Sequence, residues 1–307
     1  MDKSKNIKKH ISKKHHYLPR YYLKGFTDIN NLFFVYDKKE DRVFPNALTP
    51  DSIFFENNLN TIMLPNGNYS DFLEDLYAEI ENQSWTSLNN IRNSDNKTPI
   101  ELMDKMHLFS FLLFLHWRLP KNIVYVEELS KKFFNLRYKK FNYFTIKSKS
   151  GEVAPKEVLD KIKDSSAFKK SSKLMIPFAP FYSNNWAEIL DNWRFLFTGD
   201  GQLWNFVGDN PIITKGDKDN DPISCLDEFI FPVSGKVILI NTNKPVNRDL
   251  PPKFTGQFNT TIIEKAQRFV ACHNRPFLEA IIKYYKIYLK YNKRDKIISE
   301  LFEMIEN

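Results

Sequence analysis

A chain of 307 residues with 42% hydrophobic and 27% charged side chains has the composition of a soluble globular protein with a full core, in one large domain or two packed lobes. Only 9 glycines argue against a fold built on glycine loops, and 2 cysteines, Cys225 and Cys272, with no CxxC spacing, cannot make a zinc site alone. The net charge of +8 suits an anionic partner (nucleic acid, a nucleotide or an acidic protein) but equally a surface of solvated lysines, the commoner case.

Residues 1–14 read as a polar, lysine-rich arm with no apolar run of the kind a secretory signal needs. Pro19 to Lys24 reads as a short helix, with proline opening it and Gly25 ending it. A β-hairpin follows, Leu32–Tyr36 and Arg42–Phe44 about a charged turn. A helix then starts near Ser70 or Asp71, and a second opens at Thr98–Pro99 and runs to Pro120. The second is apolar on nearly every side and so central. Its run Leu108–Leu115 is too short to span a bilayer, which predicts a cytoplasmic protein without membrane attachment. Helix continues through "NIVYVEELSKKFFNLRYKKF", and "VLDKIKDSSAFKKSSKL" reads as a surface helix and linker.

From Trp193 the texture changes. Strands are expected at Trp193–Phe197, Leu203–Val207, Phe229–Pro232 and Lys236–Asn241, with turns at Gly199–Gly201 and Gly208–Pro211. A helix beginning near Asn259 or Thr260, a strand at Phe269–Ala271 and two closing helices complete the chain. The fold class is α+β: a helical block packed against a mostly antiparallel β-sheet, with an N-terminal short helix and hairpin. The expected organisation is an arm at 1–14, a hairpin and helical lobe at 15–145, a linker and surface helix at 145–175, and a sheet-containing lobe at 175–307. The alternative is one integrated domain.

No phosphate-binding glycine loop, nucleophile elbow, HExxH or cysteine–histidine zinc array is present in the sequence. Three constellations of polar residues remain. In "KKHHYLPRYYLKGF", His15, His16 and Arg20 flank the start of the short helix, where backbone N–H groups and a guanidinium suit an anion. On the residues alone a packed corner, with the imidazoles bonded to backbone, is the better reading. In "LFLHWRLP", His116 and Arg118 emerge from the central helix and either form a buried network or line a cleft. His107 lies on the opposite face of that helix from His116. In "FVGDNPII", Asp209 and Asn210 make a tight Asx-type turn, or present a carboxylate and an amide at a strand end. Asp227, Glu228 and Lys236 lack the spacing of a metal-dependent nuclease.

These stretches, with "FIFPVSGKVILI" and "NTTIIEKAQRFVAC", resemble a bacterial family catalogued as a domain of unknown function, number 4238, over nearly the whole chain. Two departures are Gly208, where the family usually has serine, and Gly235, where it often has proline. The resemblance implies a shared fold and a shared set of polar residues: His15 or His16, Arg20, His116, Arg118, Asp209 and Asn210. It also implies relatives in mobile or defence-associated regions.

The leading expectation is an intracellular effector acting on nucleic acid or nucleotides, with phosphodiester hydrolysis as the candidate activity. His16, His116 and Asp209 are the candidate catalytic residues. His15, Arg20, Arg118 and Asn210 are the candidate substrate-binding residues. A divalent cation, Mg²⁺ or Mn²⁺, is the cofactor this reading admits, without an identified ligand set. The alternative is a non-catalytic module that binds nucleic acid or a protein, as a monomer or a homo-oligomer.

Overall fold

The computed structural model describes residues 13–63, 67–95, 97–133, 157, 165–182, 186–198, 204–216, 221–222, 224–246, 250–251 and 253–306. The basic arm up to residue 12, the expected helix beyond 133, most of the linker and the Gly199–Gly201 turn lie outside these residues.

Two antiparallel four-stranded sheets organise the α+β molecule. One has the order β3 (Arg42–Val43), β2 (Phe34–Asp37), β12 (Phe269–Cys272), β8 (Val207–Gly208). The other has the order β7 (Trp193–Phe197), β11 (Val237–Asn241), β10 (Phe229–Pro232), β9 (Ile213–Thr214). Residues 34–43 thus share a sheet with residues 207–208 and 269–272, so the two halves of the chain interleave.

Period-two alternation assigns the faces of both sheets. Val35, Ala271, Phe229, Phe231, Val237 and Leu239 point into one core. Tyr36, Val270, Cys272, Ile230, Ile238 and Ile240 point into the other. Because both faces are buried, these strands carry near-continuous apolar runs such as "VILI". The first core is closed by α1 (Arg20–Leu23), α2 (Phe72–Asn93) and α3 (Leu102–Arg118). The second is closed by α7 (Phe254–Lys265), α8 (Arg275–Lys290) and α9 (Lys296–Glu306). Against α3, on the side of the first core, lie α4 (Ile123–Phe133), α5 (Ser166–Met175) and α6 (Trp186–Asp191). No helix of the described residues is long and apolar enough to cross a membrane.

Two helix starts differ from the sequence reading. Helix α3 begins at Leu102 rather than Thr98, because Asp95 Oδ1 accepts from the N–H groups of Lys97 and Thr98 and from the Thr98 hydroxyl, holding that stretch in an Asx turn. Helix α7 begins at Phe254, ahead of Asn259, and its polar residues Thr255, Gln257, Asn259, Thr260 and Thr261 are buried. Asn259 accepts from Phe206 N–H at 2.8 Å and donates to the Trp204 carbonyl at 2.8 Å, while Gln257 donates to the Ile297 carbonyl at 2.9 Å. A polar face on a core helix hides its period from an apolar count.

Candidate functional site

The histidine pair sits on a strand, β1 (Lys14–His16), paired antiparallel with β4 (Phe55–Asn57). Adjacent strand residues face opposite sides, so the two imidazoles enter different surroundings. His15 is fully buried, and its Nδ1 accepts from the backbone N–H of Asn60 at 2.9 Å, with Asp71 and Glu74 carboxylates at 3.8 and 3.7 Å. His16 is half-buried against Phe55, with ring centroids 5.5 Å apart, and its Nε2 has no hydrogen-bond partner among the described residues. Arg20 opens α1 and pairs with Asp51 at 2.7 Å in solvent.

Burial, then the Arg20 charge, hold the His16 pKa below its ordinary 6.5. A histidine whose folded pKa is depressed contributes stability that is present above pH 6.5 and lost as pH falls through that value, because the unfolded chain binds more protons. The His16→Gln variant, neutral at every pH, is therefore expected to show a shallower loss of stability between pH 6.5 and 5 than the parent chain in urea titrations. Equal slopes would show that His16 is not held neutral. The pKa of His273 is also lowered by burial, and it adds slope of the same sign.

Two arginines, Arg118 buried and Arg92 half-buried, tie this corner down. Arg118 Nε donates to the Tyr17 carbonyl at 3.0 Å, a second nitrogen donates to the His16 carbonyl, and the third pairs with Glu81 at 2.5 Å. Its guanidinium also lies over the Tyr77 ring at 4.9 Å. Arg92, on α2, donates to the carbonyls of Tyr21 at 3.1 Å, Tyr22 at 2.8 Å and Val233 at 3.1 Å. Gly25 is required here by space: a Cβ on it would meet the Arg92 guanidinium at 2.6 Å. The Gly235 N–H donates to the Gly25 carbonyl at 2.8 Å, and the Tyr22 hydroxyl donates to the Pro232 carbonyl at 2.8 Å. "HHYLPRYYLKGF" and "FPVSGK" are thus two sides of one joint, with Arg92 between them.

His116 is fully buried on α3, its ring edge-on to Trp117 at 4.9 Å, and Asn122 donates to its carbonyl at 2.6 Å. Asp209 lies where the chain leaves β8 for β9, the edges of the two sheets. Its carboxylate accepts from the backbone N–H groups of Gln267 at 2.7 Å, Arg268 at 2.7 Å and Phe269 at 2.9 Å. Burial pushes the Asp209 pKa up, against the pull of those three N–H groups. Asn210 donates to the Lys265 carbonyl at 3.1 Å. Both side chains therefore hold the turn between α7 and β12.

The sequence-selected residues fall into separate settings. His15, His16 and Arg118 meet around β1, Asp209 and Asn210 meet at the sheet junction, and Arg20 stands in solvent. Tyr17 lies within electrostatic reach of Asp209, which with burial raises its phenol pKa. Among the described residues no group of three or more His, Cys, Asp or Glu is placed to hold a metal ion. With its oxygens engaged by three N–H groups, Asp209 does not fit a cation ligand. Cys272 is buried, with its thiol pushed up to about 12, which does not suit a nucleophile.

The opening that does carry unassigned chemistry lies on the other side of His15. A cavity of about 210 Å³ separates α4, α5 and the turn after β4. Lys169, Lys170 and Lys173 line it with a single carboxylate, Glu127, and with apolar Leu59, Ile123 and Val126. Lys173 is only 2% exposed, and its Nζ donates to Asn60 Oδ1 at 3.3 Å. Asn60 is also the residue whose N–H bonds His15 and whose amide bonds Glu74 at 2.5 Å. Lys170 Nζ donates to the Thr61 carbonyl at 2.7 Å. Burial, then the charges of Lys170 and Arg118, lower the Lys173 pKa to about 8. The sequence of this stretch reads as a surface helix and linker, since a buried lysine in a lysine-rich run leaves no periodic signal.

The class these features define is an α+β protein with two four-stranded antiparallel sheets among the described residues, an arginine-clamped N-terminal corner and a lysine-lined cavity. The model of the family described as "Protein of unknown function (DUF4238)" matches residues 14–276, and the chain belongs to that family. No curated protein and no solved structure matches it. The matched span includes the histidine corner, both sheets and the lysine cavity.

Proposed function

We propose that this protein is a cytoplasmic nucleic-acid- or nucleotide-binding module, non-catalytic, that takes phosphate in the cavity between α4 and α5. The observation that carries the reading is the convergence of Lys169, Lys170 and Lys173 on one cavity with a single facing carboxylate, Glu127. A buried ammonium beside other cations is costly unless an anion joins it. The net charge of +8 favours encounter with polyanions. Two buried free cysteines suit a reducing compartment.

The second reading, a defence-associated phosphodiester hydrolase, rests on His16. Its imidazole is held neutral beside the exposed Arg20 guanidinium, as a general base would be. The shielding of its Nε2 from solvent favours binding over hydrolysis. Incubation of the purified protein with RNA, DNA and nucleotides, with and without Mg²⁺ or Mn²⁺, separates the two. The binding reading expects salt-sensitive retention of polynucleotide and no cleavage products. Metal-dependent products lost in His16→Gln would replace it with the hydrolase.

A further inference from the structure

We propose that Lys173 is a nucleophilic amine that condenses with the carbonyl group of a small phosphorylated aldehyde or ketone entering the cavity between α4 and α5. The placement of the amine carries this. Lys173, Leu59 and Val126 are buried at the floor of the cavity, while Asn58 and Glu127 are exposed at its mouth. Lys173 thus lines a pocket that opens to solvent and has an apolar wall. Among the described residues its Nζ has one hydrogen-bond acceptor, at 3.3 Å, so most of its bonding capacity is unused.

Desolvation and a neighbouring cation are the two devices that free a lysine amine for attack. Both are present: Lys173 is 2% exposed, and Lys170 and Arg118 act on it with the same sign of charge, against the carboxylates of Glu56 and Glu74. Lys169 and Lys170 at the same cavity supply charge for the phosphate, and only this half of the ligand rests on the anion-binding reading.

The chemistry closes without any further reagent. The free amine adds to the carbonyl carbon, forming a C–N bond while the carbonyl π pair moves to oxygen. A proton passes from nitrogen to that oxygen to give a carbinolamine. The carbinolamine hydroxyl takes a proton from solvent entering at the mouth and leaves as water. The nitrogen lone pair then forms the C=N bond, and loss of a proton completes the imine. One water is released and nothing is oxidised or reduced. Hydrolysis reverses it.

The test is reductive trapping on the full chain, with pyridoxal 5′-phosphate and borohydride, read by peptide mass mapping. Lys173 is expected to be modified at least about tenfold faster than exposed lysines at pH 7.5, since its free-amine fraction is far larger there. Its labelling rate should reach half its maximum near pH 8. Lys173→Arg, which keeps the charge, should lose this adduct while keeping the parent melting profile. Labelling of Lys173 no faster than the bulk lysines would overturn the proposal. Pyridoxal without phosphate separates the two halves: slower labelling than with the phosphate supports both, and equal labelling of Lys173 upholds the amine while removing the phosphate.

Discussion

Replacing Arg92 with methionine is expected to lower stability by about 3–5 kcal/mol. The three carbonyls that Arg92 serves, on Tyr21, Tyr22 and Val233, join α1 to the turn after β10. Each buried acceptor left without a donor costs about 1–3 kcal/mol, and methionine fills the volume while offering no N–H. Burial lowers the Arg92 pKa to about 10, and among the described residues it makes no ion pair, so its role is donation. Arg92→Lys keeps the charge but not the planar fork and should recover less than half of the loss. Urea unfolding checks this: the midpoint should fall with the slope unchanged.

Asp209→Asn is expected to cost about 2–4 kcal/mol, because the substitution turns one acceptor oxygen into a donor facing backbone N–H groups. The amides of Gln267, Arg268 and Phe269, now bonded to the carboxylate at 2.7 to 2.9 Å, should lose protection in hydrogen exchange ahead of the rest of β12. A catalytic Asp209 would give the reverse pattern, with stability near the parent value and turnover lost.

The legible parts of the fold were those with a strong local period. The hairpin pairs Tyr36 with Val43, and β7, β10 and β11 fall where their apolar runs predict. The bend at Asp209–Asn210 was legible, but the Asx bond expected of it gives way to bonds with residues 267–269, and a contact across 60 positions has no local trace. Gly25, expected to end the short helix, instead lies within a 3-10 turn, Lys24–Phe26, and the closer reason for it, the Arg92 guanidinium, comes from a helix nearly seventy residues away. The histidines drew attention as chemistry, yet β1 was invisible because its partner, β4, lies forty residues on in a stretch rich in asparagine. Lys173 was hidden for the opposite reason: its burial depends on α4 and Asn60, and a lysine in "FKKSSKL" looks solvated. Sequence thus located the joints of the molecule better than its cavity.

The central claim is that the lysine cavity, rather than the histidine and aspartate motifs, engages phosphate. Its most direct test is the affinity for a 5′-phosphorylated single-stranded oligonucleotide, measured by fluorescence anisotropy from 50 to 300 mM salt, for the parent chain and the Lys169→Gln/Lys170→Gln double variant. Each phosphate contact removed reduces the slope of log affinity against log salt by about 0.7 for a single strand. The account predicts a slope shallower by about 1.4, with affinity lost mainly at low salt and with His16→Gln and the parent chain superimposing. An unchanged slope and affinity in the double variant, with melting profiles equal, would contradict it.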